Sequence, residues 1–222
     1  MMMNLFSVFD PSTSTLLSLN WLSSMIILFI LPMPYWIAHS RLSLAFDLLN
    51  KFIFNEFKNL IPYSYSNIII FVSLFMFILI NNFMGLFPYI FTSSSHLSFS
   101  LSLSLTLWLS IMIFSLTKYT NDTLAHLTPL GTPGVLMPFM VLIESISMVI
   151  RPFTLAIRLS ANMIAGHLLL SLLGSTGESI MMTSILIMML MSQILLFILE
   201  ISVSMIQAYV FSILSVLYSS EC

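Results

Sequence analysis

Glu144, Arg151 and Arg158 are spaced seven residues apart in an otherwise apolar stretch, Glu-Ser-Ile-Ser-Met-Val-Ile-Arg-Pro-Phe-Thr-Leu-Ala-Ile-Arg-Leu-Ser-Ala-Asn-Met-Ile-Ala-Gly-His over 144–167. On an α-helix, seven steps of about 100° return to within about 20° of the start. The three charges therefore form one stripe, with Asn162 one turn past Arg158 and about 40° round. His167 lies nine residues past Arg158, so on a straight helix it points about 180° away. A second polar stripe, Gln193, Glu200 and Gln207, repeats the seven-residue spacing. Carboxylates and imidazoles gain and lose protons. A guanidinium does not at any working pH. Along a helix, Glu144 is about 21 Å to one side of Arg158 and His167 about 13 Å to the other. Titratable groups flanking a fixed positive charge suit proton movement, because the guanidinium blocks through-passage and can hold a neighbouring carboxylate ionised. The plainer alternative is a set of satisfied interhelical ion pairs, such as Glu200 with Arg158. It explains one pair better than it explains two seven-spaced stripes on adjacent helices.

Such charges need a special setting, because the chain has few of them. Its 222 residues are 59% hydrophobic and 6% charged, against about 25% charged in soluble domains. An arginine in lipid costs about 2.5–3.5 kcal/mol on insertion scales, so these residues must face protein or water. The composition predicts an all-α integral membrane protein forming a single membrane domain over 1–222. At about 20 residues per span it has room for five or six spans. The net charge of −2 argues against nucleic acid, which requires a basic face. The single cysteine, Cys222, excludes an intrachain disulfide and gives no metal cluster. The N-terminus lacks the basic region of a signal peptide and the arginines of a transit peptide. Insertion without a cleaved signal, or synthesis in the compartment where the protein works, is expected.

Five spans and one surface helix position the stripes. The first span is expected over about 15–37, within an N-terminal unit 1–38; Pro32 and Pro34 interrupt its end and Tyr35 and Trp36 anchor it at the interface. Over 39–66, charges interleave with leucine and phenylalanine, which predicts an amphipathic helix along the membrane surface. A two-span hairpin follows over 67–117. Its first span, about 67–87, ends at Gly85 and Pro88 and carries Asn81 and Asn82. Its second, about 97–117, alternates serine with leucine or phenylalanine. That period normally argues for a strand, but a lone strand in lipid leaves its backbone unpaired. A helix with serine hydroxyls bonded back to carbonyls is expected instead. Residues 118–137 form a polar, turn-rich connection, where His126 reads as a loop residue without metal partners, and Pro138 suits the next helix's first turn. The unit 138–222 holds two segments, about 138–172 and 179–219, joined across Gly174-Ser-Thr-Gly177-Glu178. They are about 52 and 61 Å long as helices, against a hydrocarbon core of about 30 Å. They must tilt steeply or break, and Pro152 permits one kink. Arg41, Lys51, Lys58 and Lys118 fall in the two large connections. The positive-inside rule therefore puts 39–66, 118–137 and the C-terminus inside, and the N-terminus outside.

With these residues in view, the chain resembles subunit a of the F-type ATP synthase in its mitochondrial form. The resemblance rests on Leu155-Ala-Ile-Arg158-Leu-Ser-Ala-Asn162-Met-Ile-Ala-Gly166-His167 and Asn82-Phe-Met-Gly85-Leu-Phe-Pro88-Tyr89. Gly131-Thr-Pro133, Glu144, and Glu200 followed by Gln207-Ala complete it. It covers most of the chain after about residue 40; the N-terminal span matches only in placement. The resemblance implies a multi-pass protein of the mitochondrial inner membrane, with the N-terminus on the intermembrane-space side and the C-terminus on the matrix side. It implies a proton path against a rotating ring of c subunits, each with one essential carboxylate. Other implied partners are the peripheral-stalk subunit b, further membrane-sector subunits, lipid and protons; no cofactor or metal is implied, and no bond chemistry by this subunit. Arg158 matches the family's essential arginine, which separates two offset half-channels. His167 and Glu200 match the outer half-channel, Glu144 the inner one, and Asn162 and Gln207 the polar lining near the arginine. Asn82 and Tyr209 also match positions of the path. One feature conflicts with a simple hairpin. A turn near residue 176 puts Arg158 level with Ile194 and Glu200 level with Pro152. The family's pairing puts Gln207 near Arg158 and Glu200 near His167, which requires unequal arms or a longer turn.

Three other classes fit less well. A secondary transporter predicts internal repeats and broken helices at the midplane, and no repeat is found. A pumping subunit of a respiratory complex predicts lysines and glutamates within several helices, whereas here the charges collect in the last two. A purely structural membrane subunit leaves the stripes unexplained.

Overall fold

The computed structural model describes residues 5–14, 17–32, 36–61, 65–128, 133–180 and 185–221. Seven α-helices follow in order: α1 Ile27–Ile30, α2 Arg41–Leu60, α3 Tyr65–Gly85, α4 Leu97–Lys118, α5 Thr120–His126, α6 Met137–Ile180 and α7 Ile185–Glu221. Short 3-10 helices occupy Leu5–Phe9, Leu19–Met25 and Ser93–Ser95. No strand occurs among the described residues.

Four helices, α3, α4, α6 and α7, are long and apolar enough to cross a membrane. The expected first span differs. Its described helical part is Leu19–Ile30, about 20 Å long given its 3-10 start. It stops because Leu31 precedes Pro32 and takes an extended conformation (ψ 119°), as a following proline favours. Pro34 and Tyr35 lie outside the described residues. The segment nonetheless runs along the bundle. Trp21 lies 5.8 Å from the Phe91 ring and 5.1 Å from His96, beyond the end of α3. Ile27, Leu28 and Leu31 share a cavity with Asn50, Lys51 and Phe54 of α2.

The surface helix α2 starts where expected. Ser40 caps it by accepting from the Ser43 backbone N–H at 3.3 Å, and Lys58 sits in its last turn, where a cation complements the helix dipole. Ile53 and Phe57 are buried in the common core with Phe71 and Phe75 of α3 and Phe211 of α7.

The serine alternation of α4 resolves as a helix. Ser102 and Ser110 hydroxyls donate to the carbonyls of Phe99 and Leu107 at 2.8 and 2.7 Å. Thr106 donates to Ser102 at 2.8 Å. Satisfied locally, these hydroxyls place no demand on a neighbour, and the period-two pattern carries no strand meaning here.

Between α3 and α7 the contact is a close seam. Ile68, Phe71, Phe75, Ile78 and Asn82 form the buried row of α3, and Ser204, Ala208, Ser212 and Ser215 part of that of α7. Small residues let two helices approach closely in an apolar medium, where tight packing rather than water exclusion holds them together.

The long hairpin is confirmed in length and corrected in its turn. α6 and α7 span 44 and 37 residues, about 66 and 56 Å. Pro152 lies inside α6 without ending it. The expected turn at 174–178 is helix: Ser175 and Thr176 hydroxyls donate to the carbonyls of Leu172 and Leu173 at 2.9 and 3.0 Å. Each glycine in a helix interior costs only about 1 kcal/mol relative to alanine, too little to stop the helix; Gly174 faces open space and Gly177 lies against Met189 of α7. The connection falls between Ile180 and Ile185.

Candidate functional site

The later connection sets the register between the two arms. Gln207 on α7 donates from Nε2 to the backbone carbonyl of Arg158 on α6 at 3.0 Å. The midpoint of 158 and 207 lies between 182 and 183, inside the interval that separates the helix ends. About two turns nearer the hairpin's closed end, Glu200 lies against Gly166. A Cβ on Gly166 would lie 2.7 Å from Glu200 Oε1 and 3.0 Å from its Cδ. Both pairings thus follow from one displacement of the turn, and the conflict with a turn near 176 disappears.

Arg158 is exposed on α6, on the side away from Leu155, Leu159 and Met163, which are buried. Thr154, Ala161, Asn162 and Ala165 are exposed with it. Spacings of three and four make these residues one helix face. Among the described residues, no carboxylate lies within ion-pair distance of the Arg158 guanidinium. The Glu200–Arg158 pair considered above does not form.

Glu200 is 7% exposed, and neither carboxylate oxygen has a hydrogen-bond partner among the described residues. His167 follows Gly166 and is partly buried, with Nε2 likewise unpartnered. Its ring meets Phe9 of the N-terminal 3-10 helix edge-on, with centroids 6.4 Å apart. Asn82 is fully buried, and both of its amide atoms lack partners among the described residues. Its helix turn abuts the same region, since Gly85 faces Met163 of α6. Burying an unsatisfied polar group costs on the order of 1–3 kcal/mol. Buried groups of this kind are satisfied by water or by another chain where their own protein supplies no partner.

At the hairpin's open end, Glu144 Oε1 lies 3.6 Å from Arg151 Nη2. The Arg151 guanidinium also lies over the Tyr218 ring at 5.3 Å. These groups line a cavity of about 320 Å³ between α4, α5, α6 and α7.

The structure thus brings Gln207 to Arg158, Glu200 to the Gly166–His167 turn, and Glu144 to Arg151. Asn162 shares the exposed face of Arg158. Tyr209 is 39% exposed and two residues past buried Gln207, so it faces away from the Glu200–Gln207 row. Sequence reasoning treated Gly166 only as part of a motif, although a glycine inside a helical run asks for a packing reason. Phe9 gave no signal at all.

Comparison with known proteins identifies the family. A sequence profile described as ATP synthase A chain matches residues 15–220. The chain belongs to the ATP synthase subunit a family. It is similar to ATP synthase subunit a of Locusta migratoria (54% identical), Drosophila melanogaster (56%) and Anopheles gambiae (55%). Each alignment covers 100% of this chain and 99% of the relative. The family is that of a subunit of the proton-translocating membrane sector of ATP synthase, working among other membrane-sector subunits. The long apolar helices agree with a multi-pass membrane protein.

Proposed function

We propose that this subunit forms two offset half-channels that load and unload protons on the carboxylates of a rotating c-subunit ring. A proton enters past Glu200 and His167 and neutralises a ring carboxylate, which then moves into lipid, where a charge is costly. After nearly a full turn the carboxylate reaches the inner path near Glu144 and loses its proton. Arg158 attracts the resulting anion and blocks direct leakage. Asn162 and Gln207 line the path beside it, and Asn82 joins the outer side. Tyr209 belongs to α7's exposed surface in this reading. The membrane potential supplies about 2.3 kcal/mol per charge per 100 mV, so the subunit is part of a proton-transporting ATP synthase and makes no bond itself.

The observation that carries this reading is Arg158 itself. It sits mid-hairpin, exposed, with no carboxylate partner among the described residues. A guanidinium at membrane depth needs a partner, and a ring carboxylate from another chain supplies one.

The proposed setting is the mitochondrial inner membrane. The matrix side holds α2, the 118–137 connection and the C-terminus, by the bias of basic residues. The intermembrane-space side holds the N-terminus. Phe9 against His167 and Trp21 against His96 support this, since both partners lie at the end opposite α2. The peripheral-stalk subunit b is a further partner in this reading.

The test is Arg158→Ala in the assembled complex. Proton-driven ATP synthesis is expected to vanish while the complex still assembles. Synthesis at the wild-type rate overturns the reading.

A further inference from the structure

The cavity at the open end of the hairpin has one lining residue with proton chemistry that the half-channel reading leaves unused, His126. It ends α5, and with Thr123 it closes the cavity on the side facing Glu144 and Arg151 of α6. Tyr218 of α7 and Ser115, Trp108 and Met112 of α4 form much of the remaining wall. A volume of about 320 Å³ holds several waters, since each needs about 10–15 Å³ of such space and two to four polar partners. Polar partners are present on all four helices.

Glu144, whose side chain is 36% exposed, opens onto this space, which gives a proton leaving it a route past His126. Arg151 faces Glu144 at 3.6 Å but cannot accept a proton. Phenol and alcohol hydroxyls can pass a proton along a water chain but do not titrate near neutral pH. On α5 the other ionisable side chain is Asp122, and Lys118 lies in the last turn of α4; neither lines the cavity. Imidazole is the remaining group that both accepts and releases a proton in the physiological range. His126 is also exposed, so it lies between the cavity and the outer surface of this chain.

We propose that His126 is the terminal proton relay of the inner half-channel: it accepts, through cavity water, the proton that leaves Glu144, and passes it to solution. The proton balance is simple. The ring carboxylic acid loses a proton, Glu144 and then His126 gain and lose it, and a buffer anion or water takes it. This relay rests on the half-channel reading above.

The experiment uses the assembled complex in sealed vesicles with the catalytic head removed. Proton conductance is measured while the pH on the His126 side is varied between about 5 and 8. His126→Gln is expected to lower conductance about tenfold. That is below the ~100-fold usual for a positioned acid–base group, because cavity water still carries part of the flow. The variant should also lose the histidine-like part of the pH profile, and free imidazole on that side should restore most of the loss. A merely structural histidine would give no imidazole rescue. Wild-type conductance and pH profile in His126→Gln, or a loss that imidazole does not restore, overturns the relay. Glu144→Gln is run in parallel. If Glu144→Gln conducts poorly while His126→Gln is normal, the relay alone is wrong; if both conduct normally, the half-channel reading falls with it.

Discussion

Gly166 and Glu200 compete for one volume between α6 and α7. A methyl group on Gly166 would meet the Glu200 carboxylate at 2.7 Å, inside van der Waals contact. The obstructed atoms are the end of a flexible side chain, so the carboxylate can swing aside while the backbone stays. Gly166→Ala gains about 1 kcal/mol of helix propensity and loses a comparable 1–3 kcal/mol to overpacking. We expect the complex to assemble with its melting temperature nearly unchanged, while proton-driven ATP synthesis falls several-fold because Glu200 has moved. Unchanged synthesis would mean that the position of this carboxylate does not matter. Glu144, Arg158, His167 and Glu200 stood out in the sequence because a titratable or charged group in an apolar run needs a reason; the roles expected of them came from the family resemblance. Gly166 was harder to read, since its use depends on a residue 34 positions away and on a register that spacing does not fix.

Among the helices, the α3–α7 seam makes the sharpest energetic claim. Ser212 is fully buried, and its hydroxyl donates to the carbonyl of Tyr209 in its own helix at 2.9 Å. That bond makes no link to α3, so Ser212→Ala should change stability by well under 1 kcal/mol. Ser212→Leu should destabilise the complex by about 1–3 kcal/mol through overpacking, seen as a lower melting temperature and reduced assembly. A large loss in the alanine variant would show that the hydroxyl, and not the small volume, is what the seam uses. Helix existence was legible in the sequence wherever length and hydropathy agreed, and in α4 the solvent argument overrode a misleading period. Helix ends were less legible. Gly174 and Gly177 looked like a turn, yet the helix runs through both, since each glycine costs only about 1 kcal/mol. At the N-terminus, Pro32 did end a helix, and the serine- and asparagine-containing stretch 18–24 forms a 3-10 start that an apolar-run criterion does not anticipate.

The molecule as a whole is a bundle laid against one side of an overlong hairpin. α4 and α3 cover the buried sides of α6 and α7, while the face bearing Thr154, Arg158, Ala161, Asn162 and Ala165 is left uncovered by the described residues. Class and the hairpin's length were legible because they are sums over many residues. The arms' register was not, because it turns on a connection of a few residues. The direct measurement is disulfide cross-linking in the assembled complex from single cysteines on opposite faces of α6. Cysteines at Ala161 and Ala165, on the exposed face, should cross-link to a cysteine introduced on the outer helix of the small hairpin subunit of the ring. A cysteine at Ala156, which is fully buried, should not. Cross-linking from Ala156 with none from Ala161 or Ala165, or none from any of the three, would contradict the account.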